Sequence, residues 1–306
     1  MKTSVVIPTY NGAHKILDVL HSLELQTTLP DEVIVVVDGS TDGTCDLLKK
    51  EKINLSGFKI LEQRNGGRAT VRNNGAREAA GDLLLFADDD MILPAAWVNS
   101  HIEHHKNHPG SIVTGKIEDA HKFTGNDFQK FRAFLSDKWN SEISERNPAI
   151  SFVLNYPYIT ANNFSIDKAL FDLLKGFDER LTDAEDYDMA RRAAVENIPL
   201  YYSEACFAWH NEILTGLSYI KRQRQYTWAQ EKLLNLKPEL YKNEHRYTVS
   251  LPSGLKGLIF KSICTSWWIN SVDKQFWIFL PRKIRYKLYD LIITANGTMY
   301  PDKVQL

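Results

Sequence analysis

Short apolar runs alternate with longer amphipathic stretches through residues 3–87. Residues 3–8, Val33–Val37, Phe58–Leu61 and Leu83–Ala87 read as strands, because they are brief, β-branched or wholly apolar, and bounded by turn residues such as Pro8 and Gly39. Lys15–Leu25 repeats apolar positions at Ile16, Leu20 and Leu23 and reads as a helix. Ser40-Thr41-Asp42 caps a second helix through Lys49, and Arg68–Ala80 is a third, closed by Gly81. Strand–helix alternation of this kind predicts a doubly wound, mostly parallel α/β sheet. Such sheets bind ligands beyond the carboxyl ends of their strands. The polar turns Tyr10-Asn11, Asp38-Gly39-Ser40 and Asp88-Asp89-Asp90 all fall at that rim. No GxGxxG follows the first strand and no GxxxxGK[ST] occurs, so dinucleotide and P-loop fingerprints are absent.

The acidic turn is the most demanding of the three. Adjacent carboxylates repel, and burying them unpaired is costly. A hard divalent cation such as Mg²⁺ or Mn²⁺ removes that cost by taking oxygen ligands. The plain alternative is a solvated acidic turn before the helix from Pro94. A second cluster, Asp183-Ala184-Glu185-Asp186-Tyr187-Asp188, opens a helix continuing through Ala194, where the helix dipole alone would favour acids. Asp188 falls on a different helical face from Asp186. The helix from Pro94 puts His101, His104, His105 and His108 on one face. With no acidic partner motif beside it, this stripe is expected to be an incidental, solvent-exposed one.

Composition narrows the class. The chain of 306 residues is 43% hydrophobic with a formal net charge of −1, which suits an ordinary globular core and argues against bulk nucleic-acid binding. Cys45, Cys206 and Cys264 form no CxxC and no disulfide framework, as in a reducing compartment. Met1-Lys2 lead straight into a strand too short for a signal-peptide core, and no apolar run reaches the ~18 residues of a membrane span. A cytoplasmic protein is the expectation.

The ordered motifs resemble the family 2 glycosyltransferases, whose nucleotide-diphospho-sugar transferase fold is called GT-A. The matching stretches are Val5-Val6-Ile7-Pro8-Thr9-Tyr10-Asn11, Val36 through Thr44, Asn65-Gly66-Gly67 with Val71-Arg72-Asn73-Asn74-Gly75, and Gly81 through Asp90. A second block runs from Gly176-Phe177-Asp178-Glu179 through Asp188, and the likeness spans roughly residues 3–230. The resemblance implies an inverting, hexosyltransferase-type enzyme that moves one sugar from a nucleotide-diphosphate sugar, UDP being the commonest, to an acceptor hydroxyl. Polysaccharide, O-antigen or glycolipid synthesis would be its setting, with a saccharide or lipid-linked saccharide as acceptor. It implies that Pro8 and Tyr10 wall the nucleotide base, Asp38 meets the base, and Asp88 lies at the ribose. Arg72 would stand near the nucleotide-binding loop, unless it makes a structural ion pair. Asp90, with Asp88 and His210, would hold Mn²⁺ or Mg²⁺, and Asp89 would point away. Asp186 would be the base, with Glu185 binding acceptor or orienting the loop. Many members carry two acids before the Gly-Ser; here the first is Val37.

The same resemblance divides the chain into a catalytic domain at 1–236 and a helical extension at 237–306. Within the domain, 1–118 is the nucleotide-sugar half and 119–236 the acceptor half. Asn162 or Asn163, in a strand over 160–165, would reach a sugar or serve only the strand edge. The aromatic residues Phe128, Phe131, Phe134, Trp139, Tyr156 and Tyr158 suit sugar rings and core packing alike. Leu217–Leu236 reads as a helix. The Trp- and Phe-rich stretch 251–295 ends in Arg282, Lys283, Arg285 and Lys287 around an apolar stripe of Ile284, Leu288, Leu291 and Ile292. Peripheral contact with an anionic membrane and packing on the protein itself both fit that pattern. Two other functions remain open: a non-catalytic sugar- or nucleotide-binding protein on a transferase scaffold, and a sugar nucleotidyltransferase. The turn Pro8-Thr9-Tyr10-Asn11 lacks the basic, Gly-rich loop expected of the latter.

Overall fold

A computed structural model describes residues 1–145, 150–241 and 252–299. Strands β1 (Thr3–Thr9), β2 (Glu32–Asp38), β3 (Phe58–Gln63) and β4 (Leu83–Ala87) alternate with helices α1 (Ile16–Glu24), α2 (Thr44–Lys50) and α3 (Arg68–Glu78). Next come β5 (Met91–Ile92), α4 (Trp97–Asn107), β6 (Ile112–Asp119), α5 (Asp127–Glu145), β7 (Ser151–Val153) and β8 (Asn163–Asp167). Helices α6 (Lys168–Leu173) and α7 (Glu185–Val195) lead to β9 (Leu200–His210). Helices α8 (Gly216–Leu236), α9 (Pro238–Tyr241), α10 (Gly254–Ile263), α11 (Ser266–Asp273) and α12 (Arg282–Met299) complete the described residues.

The sheet runs β3-β2-β1-β4-β8-β6-β9-β5, with β7 paired to β9. β3, β2, β1 and β4 are mutually parallel, whereas β8 joins β4 antiparallel and β6 joins β8 antiparallel. Strand alternation explains why both sheet faces are covered. Val6, Ile34, Val36, Leu84 and Phe86 point into one apolar cluster with residues of α3, α6 and α7. Val5, Ile7, Val33, Val35, Leu83 and Leu85 point into the other, with residues of α1, α2 and α4. Val5–Ile7, Val33–Val37 and Leu83–Ala87 are therefore apolar throughout, whereas the edge strand β3 carries Lys59 and Glu62.

Residues Met1–Glu118 with Trp139–Glu212 form one compact unit, and Asp119–Lys138 with Ile213–Leu306 form the other. This division differs from the expected boundary at 236/237. Helix α8 buries Ile220 in one apolar cluster with residues of α10, α11 and α12, so it belongs with the helices that follow. Of the expected extension 237–306, residues 242–251 and 300–306 lie outside the described residues. No described helix is long and apolar enough to cross a membrane.

The histidine stripe of α4 corrects the sequence expectation. His101, His104 and His105 are buried, not solvent-exposed. Their face packs on the sheet, where Ser165 on β8 offers one hydroxyl to two rings: its Oγ lies 2.8 Å from His101 Nδ1 and 2.8 Å from His105 Nε2. His104 Nε2 is 3.3 Å from Ser111 Oγ, and its Nδ1 is 3.2 Å from Ser151 Oγ. These hydroxyl partners, Ser111, Ser151 and Ser165, lie outside the helix and leave no trace in its residue pattern. Burial, then the neighbouring His105, pushes His101 down to about 3; burial, against the pull of Asp167, leaves His105 at about 4.

A pH dependence follows. Unfolded imidazoles protonate below about pH 6.5, while these stay neutral to far lower pH. Across that interval the unfolded chain binds more protons, so stability present at neutral pH is lost on acidification. For His101 alone, going from about pH 7 to pH 5 removes about 2 kcal/mol. Urea melts at both values check this, and the pH-dependent loss should shrink in His101→Gln.

Candidate active site at the rim of the parallel sheet

The carboxyl ends of β1, β2 and β4 are joined by side chains of their own loops. Asn11, at a positive φ of 51°, donates its N–H to Ser40 Oγ at 2.9 Å and accepts from the Thr41 N–H at 2.8 Å. The Gly12 N–H donates to Thr44 Oγ1 at 3.0 Å. A Cβ at Gly12 would collide with Thr9 Oγ1 and Asp89, so this turn tolerates only glycine. Pro8 is half-buried and Tyr10 is exposed on the same turn. Asp38 is buried, and its carboxylate accepts from Gly66 N–H (2.8 Å), Gly67 N–H (3.0 Å) and Gln63 Nε2 (2.7 Å). It therefore anchors the loop that starts α3.

The three acids of the β4 turn diverge. Asp89 turns to β1, accepting from Thr9 Oγ1 at 2.6 Å and pairing with Lys15 Nζ at 2.8 Å. Burial, against Lys15, pushes its carboxyl up to about 6. Asp88 faces α3, 2.5 Å from Arg72 Nη2. Asp90 is flanked by Lys15 Nζ at 3.4 Å and His210 Nε2 at 3.4 Å. Burial pushes the Asp90 carboxyl up, but His210 and Lys15 outweigh it and hold the group below the usual carboxylate range.

Arg72 is the link between the two acidic clusters. Its side chain is buried, with Nη2 on Asp88 and Nη1 on Glu185 Oε1 at 2.8 Å. Burial opposes its charge, yet Asp88 and Glu185 keep it firmly protonated. Arg68 adds a second bridge, to Asp183 at 3.1 Å. These pairs bring the N-terminus of α7 to the β4 rim, although more than ninety residues separate them. Arg72 thus makes the ion pair that is the alternative reading of it, with Asp88 and Glu185.

Ala184, immediately before α7, adopts the left-handed conformation at φ 62°, ψ 19°, which a non-glycine residue rarely takes. That turn aims Glu185 and Asp186 inward. Burial pushes Glu185 up to about 7 against the pull of Arg72. Burial also raises Asp186, whose Oδ2 accepts from the Ala161 N–H at 3.3 Å. Asp188 is fully buried and pairs with Arg192 at 2.8 Å, away from these two. Beside Asp186 stands Tyr158, whose phenol is pushed well above its ordinary value by burial and by that carboxylate. Trp139 lies 4.9 Å and Tyr156 6.3 Å from the Tyr158 ring, centroid to centroid. Phe128 and Phe131, by contrast, are core residues of the second unit.

Asn163 does not face this site. It is fully buried, accepting from Trp97 Nε1 at 2.8 Å and donating to the Cys206 carbonyl at 2.8 Å. Asn162 is half-buried, with a buried Oδ1 that lacks a hydrogen-bond partner.

One carboxylate oxygen each of Asp90 and Glu212 and one ring nitrogen of His210 lie within 4.8 Å of one another. Asp90 Oδ1 is buried without a hydrogen bond. Such an oxygen is costly to leave unfilled, and two carboxylates with an imidazole are a donor set for Mn²⁺-class ions. The residues fit a divalent cation. Sequence reading missed Glu212, which the His-x-Glu spacing at the end of β9 could have signalled. It also missed Lys15, a helix-start lysine with no motif around it.

Comparison with known proteins bears on the family and the fold. Residues 4–174 match the family described as Glycosyl transferase family 2. The uncharacterized glycosyltransferase YfnE of Bacillus subtilis (strain 168) is 29% identical over 211 residues, covering 64% of this chain and 52% of that protein. The poly(ribitol-phosphate) beta-N-acetylglucosaminyltransferase TarS of Staphylococcus aureus (strain MW2) is 27% identical over 208 residues, 66% of this chain and 35% of its own. The match thus spans about half, or less, of these relatives. Among solved structures, the mannosyltransferase PcManGT from Pyrobaculum calidifontis, in complex with GDP-Man and Mn²⁺, superposes with a TM-score of 0.64 at 18% identity. That likeness covers 99% of this chain and 88% of the other. S. aureus TarS 1–349 with UDP-GlcNAc gives 0.53 at 19% identity, covering 99% and 91%. The chain has the GT-A fold and belongs to glycosyl transferase family 2.

Proposed function

We propose that this protein is an inverting glycosyltransferase that moves one sugar from a nucleotide-diphosphate sugar to an acceptor hydroxyl. The observation that carries the reading is Arg72, which ties Asp88 of the donor-side rim to Glu185 of the α7 turn and so sets a diphosphate end and a base end in one site. Pro8, Tyr10 and Asp38 take the nucleotide base, and Asp88 the ribose. Asp90, His210 and Glu212 would hold a divalent cation, with Asp88 as a further carboxylate of the same turn. When bound, a divalent ion there stabilises the negative charge gathering on the departing diphosphate.

Asp186 supplies the second requirement. Its carboxylate accepts the proton of the acceptor hydroxyl as that oxygen bonds to the anomeric carbon. The bond from that carbon to the diphosphate oxygen breaks on the opposite face, and its electron pair leaves with the nucleoside diphosphate. Tyr158 stands beside Asp186 with the Trp139 and Tyr156 rings against it, and this aromatic group suits the acceptor sugar. A UDP-sugar is the donor we favour. A saccharide or lipid-linked saccharide, as in polysaccharide, O-antigen or glycolipid synthesis, is the acceptor class.

The test is a panel of UDP- and GDP-sugars with Mn²⁺, read by thermal shift and by product release. A true donor raises Tm, since a ligand bound only to the folded state stabilises it by mass action. It should also release nucleoside diphosphate on incubation. Release of pyrophosphate instead would mark a nucleotidyltransferase, and binding without turnover a non-catalytic protein.

A further inference from the structure

The second unit carries an apolar, cationic surface that the transfer reaction does not use. Helix α12 packs one face on the protein itself. Tyr286, Tyr289, Ile292 and Ile293 are buried in the apolar cluster of α8, α10 and α11. Arg285, expected among the surface cations, is buried: its Nη2 donates to Asp127 Oδ1 at 2.7 Å and its Nη1 to the Ile278 and Leu280 carbonyls at 3.1 and 2.6 Å. Ile284, expected on the apolar stripe, is 56% exposed. The helix therefore turns a different face outward, and Arg285 fixes the 278–280 turn against its first residues.

That turn is where the exposed apolar groups gather. Phe276 is 56% and Phe279 70% exposed, and Trp267 is 55% exposed. Their rings are contiguous: Trp267 to Phe276 is 6.2 Å and Phe276 to Phe279 is 6.4 Å. Ile278 and Ile284 are exposed as well, as are Leu255 and Leu258 on α10. Large exposed apolar patches of this kind mark an interaction surface. Between 252 and 290, besides the buried Arg285, there are six Lys and Arg against two acids: Asp290, and Asp273, which is spent accepting from the Gly216 and Leu217 N–H groups. Beside the patch, α5 and α12 enclose a cleft of about 470 Å³. Phe131, Phe134 and Tyr286 line it, with Lys138, Arg282, Lys283 and Lys287 and one acid, Asp290, also at its walls.

We propose that this face docks on an anionic phospholipid bilayer. The charge balance selects the occupant. A second copy of this chain would set one cationic face against another, whereas a bilayer of acidic headgroups offers opposite charge and an apolar layer at the depth these rings reach. Aromatic side chains at the headgroup level and Lys and Arg toward the phosphates are the arrangement of interfacial proteins. The cleft suits a single phospholipid, its phosphate among the cations and an acyl chain along Phe131, Phe134 and Tyr286. The proposal stands apart from the transferase reading and survives or fails without it.

Co-sedimentation of the full chain with vesicles tests it. One set is pure phosphatidylcholine; the other carries about one third phosphatidylglycerol. The protein should pellet with the second and not the first, and salt should release it. Arg282→Gln, Lys283→Gln and Lys287→Gln combined should weaken binding on the order of a hundredfold. Phe279→Ser with Trp267→Ser, both at exposed positions, should weaken it independently, with circular dichroism melts showing that each variant is folded. No pelleting with either vesicle, or pelleting unchanged in both variants, would overturn the proposal. So would self-association of the free chain that the Phe279→Ser, Trp267→Ser variant abolishes, because a second copy would then own the surface.

Discussion

Asp186→Asn lowers kcat for sugar transfer by two to four orders of magnitude, about what a positioned general base supplies, and leaves nucleotide-sugar binding nearly unchanged. The substitution keeps the shape of the side chain and one acceptor oxygen, so one of the two backbone bonds, from the Ala161 N–H or the Tyr187 N–H, survives. It removes the ability to take a proton at the cost of the other. Burial raises the pKa of Asp186, which makes its carboxylate a better base than an exposed aspartate. Steady-state transfer and calorimetric titration of the donor separate the two effects: kcat should collapse while Kd stays within about threefold. Near-normal turnover would move the base elsewhere. Glu185 is the next carboxylate; its Oε2 is buried without a hydrogen-bond partner, but its Oε1 accepts from Arg72 at 2.8 Å. Glu185→Gln should therefore disturb the position of Arg72 before it disturbs proton transfer, and show mainly in KM.

The parallel half of the fold was legible because burial on both faces leaves a strong mark. Leu83–Ala87 is apolar throughout, and the strand occupies those residues. The acidic turn at its end was legible for the opposite reason, since three charges together need an explanation. What stayed hidden depended on partners far along the chain. Nothing near Arg72 announces that its guanidinium spans Asp88 and Glu185. Nothing near His101 announces Ser165, which turned a supposed surface stripe into a buried network. The same holds for Arg285: its helical position resembles that of Lys283 and Lys287, and only Asp127, more than 150 residues earlier, takes it out of the surface. Polar residues read as exposed by default, and a distant hydrogen-bond partner reverses that default without altering local pattern.

Asp90→Asn should abolish cation binding as well as transfer, and here the neighbours make the prediction discriminating. Asp90 Oδ1 is buried, faces His210 and accepts no hydrogen bond, so its charge is the group a divalent ion would neutralise. An amide in its place lacks that charge and turns either a weaker oxygen or an N–H toward the cation. Mn²⁺ affinity, followed by electron paramagnetic resonance, should fall by at least about a hundredfold, more than loss of a supporting residue around a metal. Donor binding should lose its Mn²⁺ dependence in parallel. Asp89→Asn is the internal control, adjacent in sequence but turned toward Thr9 and Lys15. It should keep Mn²⁺ binding, and it frees Lys15, which then competes for Asp90 and lowers the affinity only modestly. Glu212→Gln should fall between the two, because Glu212 contributes one oxygen of the same group. If Asp90→Asn and Asp89→Asn lose Mn²⁺ equally, the turn acts only through its summed charge and no single carboxylate is the ligand. If only Asp90→Asn does, the divergence of three adjacent aspartates toward α3, β1 and β9 is what gives the turn its function.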